Sequence, residues 1–314
     1  MAHYLDPKND LTFKRIFGEH AHLCMSLLNS MLPLDEAHRI VELEYMPAEL
    51  TPAIPGLKNS IVDVRCKDGL GRQFIVEMQM LWTDSFTVRV LLNASKAYIK
   101  QLDRGIDYNF LQPVYALSFV NEIFEPSLLT EYYHHYRIVN IQHTEKQIEG
   151  LEFVFIELPK FIPGNLGERK LHELWLRFLT EIKKGAEVVS SSLLSTDETR
   201  EAVQYLELGS YTKEELDAYD KYCDAIMVEK AIRNDSLAKG REEGIGIGIE
   251  IGREKGIEIG REKGIEIGRE EGIEIGREKG EAERLAIKEA LEKEKIEKEA
   301  LKNRIAELER RMSK

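Results

Sequence analysis

Residues 57–81, LKNSIVDVRCKDGLGRQFIVEMQML, decide the fold. Residues 61–66 are rich in β-branched side chains, Asp68-Gly69-Leu70-Gly71 is turn material, and residues 73–80 are extended again. The stretch predicts two strands joined by a tight turn. Side chains alternate faces along a strand. Phe74, Val76, Met78 and Met80 therefore share one face of the second strand, and Gln73, Ile75, Glu77 and Gln79 the other. In the first strand Val62, Val64 and Cys66 lie on the face opposite Ile61, Asp63 and Arg65. A loop at residues 69–71 pairs Asp68 with Arg72, and counting back along both strands sets Asp63 across from Glu77. Opposed Cβ atoms are about 4.5–5.5 Å apart. Two carboxylates held that close on a mostly apolar hairpin repel each other, and the arrangement makes sense with a cation between them.

The spacing D-x13-E-x-Q of Asp63, Glu77 and Gln79 resembles the core of the PD-(D/E)XK nucleases, in which Asp and Glu bind magnesium and a lysine follows as E-x-K. The form IVDVRC…GRQFIVEMQ is similar to the Rpn family of recombination-promoting nucleases, also described as PD-(D/E)XK family putative transposases. Further landmarks follow in that family's order: DLTFKRIFG at 10–18, RVLLNASKAYIKQLDRGIDYNFLQPVYALSF at 89–119, and FVFIELPKF at 153–161. The likeness covers residues 4–240.

The resemblance implies an α/β, restriction-endonuclease-like core with a mixed sheet flanked by helices. It implies a Mg²⁺-dependent DNA endonuclease, with Mn²⁺ or Ca²⁺ as other candidate ions and DNA as partner. Asp63 and Glu77 would be metal ligands, with the Met78 backbone carbonyl as a further one. In the family the first segment lies near the active site, which makes Asp10 a candidate ligand and Lys14 a candidate catalytic residue. The plain readings are an N-cap and a solvated charge. Gln79 stands where the lysine of E-x-K would be; its amide can orient water but carries no charge. Lys14, Lys58 or Arg89 are candidates to replace that charge. Lys58 and Arg89 are also candidate DNA-phosphate contacts, against a surface lysine and a surface salt bridge.

Bulk properties bound these readings. The chain has 314 residues, 43% of them hydrophobic, which suits one large or two ordinary domains. A net charge of -12 excludes a generally basic nucleic-acid binder, so phosphate must be met by local cations and metal. Cys24, Cys66 and Cys223 are scattered without metal-ligand spacing and read as free thiols in a reducing cytosol, giving a cytoplasmic expectation. No run approaches the roughly 18 apolar residues of a membrane span.

Asp10 is expected to cap a first helix with the apolar stripe Phe13, Ile16 and Phe17, and a second carries Leu23, Leu27, Leu28 and Met31. Residues 40–46 predict a first strand. After the hairpin, Thr83-Asp84-Ser85 opens a long helix ending near Gly105. Its core face is Phe86, Val90, Leu91, Ala94, Tyr98 and Leu102, and its basic residues are Arg89, Lys96 and Lys100. Residues 113–120 and 153–161 read as further strands, and 171–182, 196–208 and 212–237 as helices, the last with Thr212 and Glu215 in a capping box. The adjacent His134 and His135 point different ways in either strand or helix, which argues against a shared metal.

Glycine recurs every fourth residue from Gly240 to Gly280, within the octad GREKGIEI. That spacing drifts about 40° per glycine around a helix, and each glycine costs about 1 kcal/mol relative to alanine. A lone helix is disfavoured, whereas a packed pair gains close backbone approach. A self-associating rod and a tolerated low-complexity expansion are both open. Leu301, Ile305, Leu308 and Met312 follow coiled-coil spacing. The organisation expected is a nuclease-like core at 1–165, a helical extension packing on it at 166–239, the repeat at 240–280 and a short coiled coil at 281–314. The functional alternative to an endonuclease is a catalytically weak or inactive DNA-associated protein that self-assembles through this tail into a homo-oligomer.

Overall fold

The computed structural model of the chain describes residues 3–50, 60–102, 107–164 and 170–312. Its elements run α1 (Asp10–Glu19), α2 (Ala21–Met31), β1 (Leu43–Tyr45), β2 (Glu49–Leu50), β3 (Ser60–Ile61), β4 (Val64–Asp68), β5 (Gln73–Gln79), α3 (Ser85–Ile99), β6 (Val114–Val120), β7 (Tyr133–Asn140), β8 (His143–Glu157), α4 (Lys170–Glu181), α5 (Asp197–Gln204) and α6 (Lys213–Met312). They divide into two units, Met1–Arg233 and Asn234–Lys314.

The first unit is built on the hairpin. β4 and β5 pair antiparallel with Val64 opposite Val76 and Lys67 opposite Gln73. The Asp68 N–H donates to the Arg72 carbonyl at 3.0 Å, and Gly71 turns the chain at φ +84°, a conformation that costs little without a Cβ. Inside the turn the Asp68 carboxylate holds the Arg72 guanidinium at 2.6 Å. β1 extends the meander on the other edge of β4. The crossover through α3 then lays β6 parallel to β5, β8 lies parallel to β6, and β7 closes the edge antiparallel. The resulting mixed sheet has the order β1-β4-β5-β6-β8-β7.

Alternation along β5 divides the core in two. Phe74, Val76 and Met78 face a layer that includes Phe13, Phe17, Leu27, Trp175 and Phe178, brought by α1, α2 and α4. Ile75 faces the opposite layer, where Phe86, Val90, Ala94 and Ala97 of α3 pack on Ala116 and Phe155. Glu77 lies on that same α3 side, beside Ile75 in the alternation.

Several elements depart from expectation for identifiable reasons. β1 is shorter than 40–46, because the Asn29 side chain takes both backbone groups of Ile40 at 2.8 Å. The segment 61–66 is not one strand: the Val62 N–H donates to the Ala48 carbonyl at 3.1 Å, and β3 pairs with β2 in a separate two-stranded sheet. Asn9, not Asp10, caps α1, its side chain accepting from the Leu11 N–H at 3.0 Å. α3 ends at Ile99, short of Gly105, and buries Asn93 and Ala97 while Leu91 is 49% exposed. β8 starts at His143, well before residue 153, and β7 precedes it, with His134 and His135 on opposite faces, bonded to Glu157 and Glu152.

α6 opens on the expected capping box. The Thr212 N–H donates to Glu215 Oε2 at 2.7 Å, and the Glu215 N–H to Thr212 Oγ1 at 3.2 Å. Tyr219 anchors it in the first unit by accepting from the Asp6 N–H at 3.0 Å. In the second unit the helix residues are almost entirely exposed, and a Cβ added at any glycine from Gly240 to Gly280 would meet nothing within 4 Å. Among the described residues no helix is long and apolar enough to cross a membrane.

Candidate active site

The site forms where the hairpin ladder ends. Val64 opposite Val76 is the last pair before the chain turns away toward β2. Beyond that pair the Met78 N–H of β5 loses its strand partner, and Asp63 Oδ2 accepts it at 2.8 Å. Asp63 thus sits in a bend, tied to β5 by its carboxylate. Glu77, one residue earlier on β5, is 5% exposed beneath α3. Its Oε1 accepts from Asn93 Nδ2 at 3.0 Å, and Arg89 Nη2 lies 3.7 Å from its Oε2.

The flanking residues converge on this pair. Arg89 lies 4.9 Å over the Phe86 ring and donates from Nη2 to Gln79 Oε1 at 2.7 Å. The Gln79 amide nitrogen donates to the Leu81 carbonyl, so both ends of this side chain are engaged. From α1, Lys14 Nζ stands 2.6 Å from Asp10 Oδ1 and 3.9 Å from Asp63 Oδ1. Asp10, Lys14, Asp63, Glu77, Gln79 and Arg89 are therefore neighbours, while Lys58 lies outside the described residues.

Charge is held under tension here. Burial pushes the Asp63 carboxyl above its ordinary range, the Met78 N–H and Lys14 oppose that, and Asp10 adds to it. Burial likewise raises Glu77; the Asn93 bond opposes it, the Asp63 charge reinforces it, and Arg89 opposes it. Each group so placed gains from a cation. Among the described residues no set of three His, Cys, Asp or Glu side chains could hold a metal ion. Two carboxylates nevertheless suit a hard divalent cation that completes its shell with water and substrate phosphate.

A family model described as PD-(D/E)XK nuclease family transposase matches residues 7–232. The chain belongs to that family. No curated protein and no solved structure matches it. Membership accounts for the mixed sheet with helices on both faces, and the matched region lies wholly in the first unit.

Three residues of this PD-(D/E)XK chain escaped the sequence reading. Asn93 belongs to the buried face of α3, seven residues after Phe86; a polar side chain at that spacing is the signal that could have found it. Ser118 is buried on β6 directly beside Glu77 in the parallel register. Tyr222, half-buried on α6, has its hydroxyl pushed up to about 12 by burial and by the Asp10 and Asp63 charges, so it stays a neutral donor. No local pattern ties it to residues so distant in sequence. A cleft of about 890 Å³ lies elsewhere, among Asn29, Tyr133, His172 and Glu201.

Proposed function

We propose that the protein is a metal-dependent DNA endonuclease, hydrolysing phosphodiester bonds with Mg²⁺ at Asp63 and Glu77. The carrying observation is the pair of carboxylates with burial-raised affinity for protons, set at the end of a ladder. Both backbone groups of a strand residue point to the same neighbour, so the Met78 carbonyl is directed toward the edge its N–H shares with Asp63. These oxygens form a hard donor set. A divalent cation bound there would polarise the scissile phosphate and lower the pKa of an attacking water. Lys14, 3.9 Å from Asp63, supplies the nearby positive charge that Gln79 lacks. Arg89 fixes the Gln79 carbonyl and leaves the amide N–H to Leu81, and its own half-exposed side chain is available to phosphate.

The test is nicking of supercoiled plasmid by the purified protein with Mg²⁺, Mn²⁺ or EDTA. Metal-dependent nicking supports the reading; binding without cleavage under all three supports a non-catalytic DNA-associated protein, which the engaged, uncharged Gln79 favours. We further propose that the tail self-associates. Its isoleucines, such as Ile257, Ile259, Ile265 and Ile267, and its Leu301, Ile305 and Leu308 are exposed on a helix that buries nothing against itself.

A further inference from the structure

Beneath α3 the acid pair is flanked on one side by Arg89 and on the other by cations to which the proposed chemistry gives no task. Arg65 follows Asp63 by two residues and lies on β4. It is 5% exposed. Its guanidinium donates to Gln73 Oε1 at 2.9 Å and to the Pro47 carbonyl at 3.4 Å, while its buried Nε has no partner. Among the described residues no carboxylate pairs with it. A buried charge without a counter-charge is costly, and such groups are ordinarily paired.

α3 carries two more cations beyond Asn93. It runs opposite to β5: Arg89 meets Gln79, and one turn on Asn93 meets Glu77. Lys96 and Lys100 are four apart and share one side of the helix. Lys96 Nζ donates to Ser60 Oγ at 2.6 Å. Lys100 is exposed, and its ammonium is held below the ordinary range by burial and then by the Arg65 and Lys96 charges, with Glu49 partly offsetting them.

The distances suit a nucleic-acid backbone. Measured along α3 from Asn93, Lys96 and Lys100 lie about 4.5 and 10.5 Å away, and Arg89 about 6 Å in the other direction. A DNA strand carries one phosphate per roughly 3.4 Å of helix axis. We propose that Lys96 and Lys100, backed by the buried Arg65, form a phosphate-binding station one to three nucleotides from the scissile bond, so that the cleaved strand runs along α3. This rests on the endonuclease reading above and adds the direction in which the substrate lies. Lys96 and Lys100 touch phosphate; Arg65 raises the potential beneath them.

The experiment measures binding of a short labelled DNA duplex in EDTA, by fluorescence anisotropy, from about 50 to 200 mM salt. Each phosphate contact contributes about 0.9 to the slope of log affinity against log salt. Lys96→Gln and Lys100→Gln should each lower the slope by about 0.9, Lys100→Arg should restore it, and Lys183→Gln, in the turn after α4, should leave it unchanged. In Mg²⁺ the double variant should show a raised KM with kcat retained. Arg65 is left intact because its burial makes loss of folding the expected result of replacing it. A wild-type protein that binds and cuts DNA, with an unaltered slope and KM in the double variant, overturns this proposal and leaves the endonuclease reading standing. A wild-type protein that neither binds nor cuts overturns both.

Discussion

Asn93→Ala tests whether the buried polar residue of α3 serves the fold or the metal. Its Nδ2 donates to Glu77 Oε1 at 3.0 Å, while its own Oδ1 is buried without a partner. A hydrogen bond to a charged group is worth about 1.5–3 kcal/mol, and an unsatisfied buried acceptor costs about 1–3 kcal/mol. Truncation removes both, so the two effects offset and the stability of the metal-free protein should change by only about 1 kcal/mol. The site responds differently. Without the Asn93 bond Glu77 holds its proton to higher pH, because that bond is the main influence opposing burial. Partners that orient a metal-ligating side chain are typically worth 10–100-fold in affinity, so Mg²⁺ binding should weaken about tenfold or more. The acid limb of the activity profile should also move to higher pH. Calorimetric titration of Mg²⁺ at two pH values, with urea unfolding alongside, separates the two roles. A variant that loses several kcal/mol of stability while keeping wild-type Mg²⁺ affinity would refute the argument.

Three other outcomes follow from the same structure. Glu77→Gln should stabilise the metal-free protein at neutral pH: the folded Glu77 pKa is raised, so its burden on stability is full above that pKa and fades as pH falls toward the ordinary carboxylate value, which urea titrations across pH would follow. Lys160→Met should cost about 3–5 kcal/mol in urea unfolding, since it takes the ammonium away from the fully buried Glu157 carboxylate and frees the carbonyls of Glu125 and Leu128; a loss under about 1 kcal/mol would contradict this. Truncation after Lys239 should lower the oligomer mass seen by light scattering and leave per-subunit nicking nearly unchanged at high concentration, whereas an unchanged mass would mark the repeat as a neutral expansion.

The hairpin was legible because the glycine turn fixes one register and alternation fixes the faces; pairs such as Val64 with Val76 follow from those alone. The break at Asp63 was not, since Ile61, Val62 and Val64 all favour strands, and what bends the chain is a remote acceptor, the Ala48 carbonyl. β7 and the first half of β8 carry exposed, charged residues without alternation, so their pairing with each other is their main signal. The cap at Asn9 was misplaced by one residue because Asn and Asp are near-equal caps; the Asp10–Lys14 ion pair shows that Asp10 is already helical. Asn93 and Tyr222 reach the site through tertiary packing, from α3 and from a helix more than a hundred residues further on.

The central claim is that Asp63 and Glu77 together hold the catalytic cation, and plasmid nicking by wild type, Asp63→Ala and Glu77→Ala in Mg²⁺, each confirmed folded by circular dichroism, tests it most directly. The account predicts nicking by the wild type that EDTA abolishes, and none by either variant. Nicking that persists in a folded Asp63→Ala or Glu77→Ala protein would contradict it.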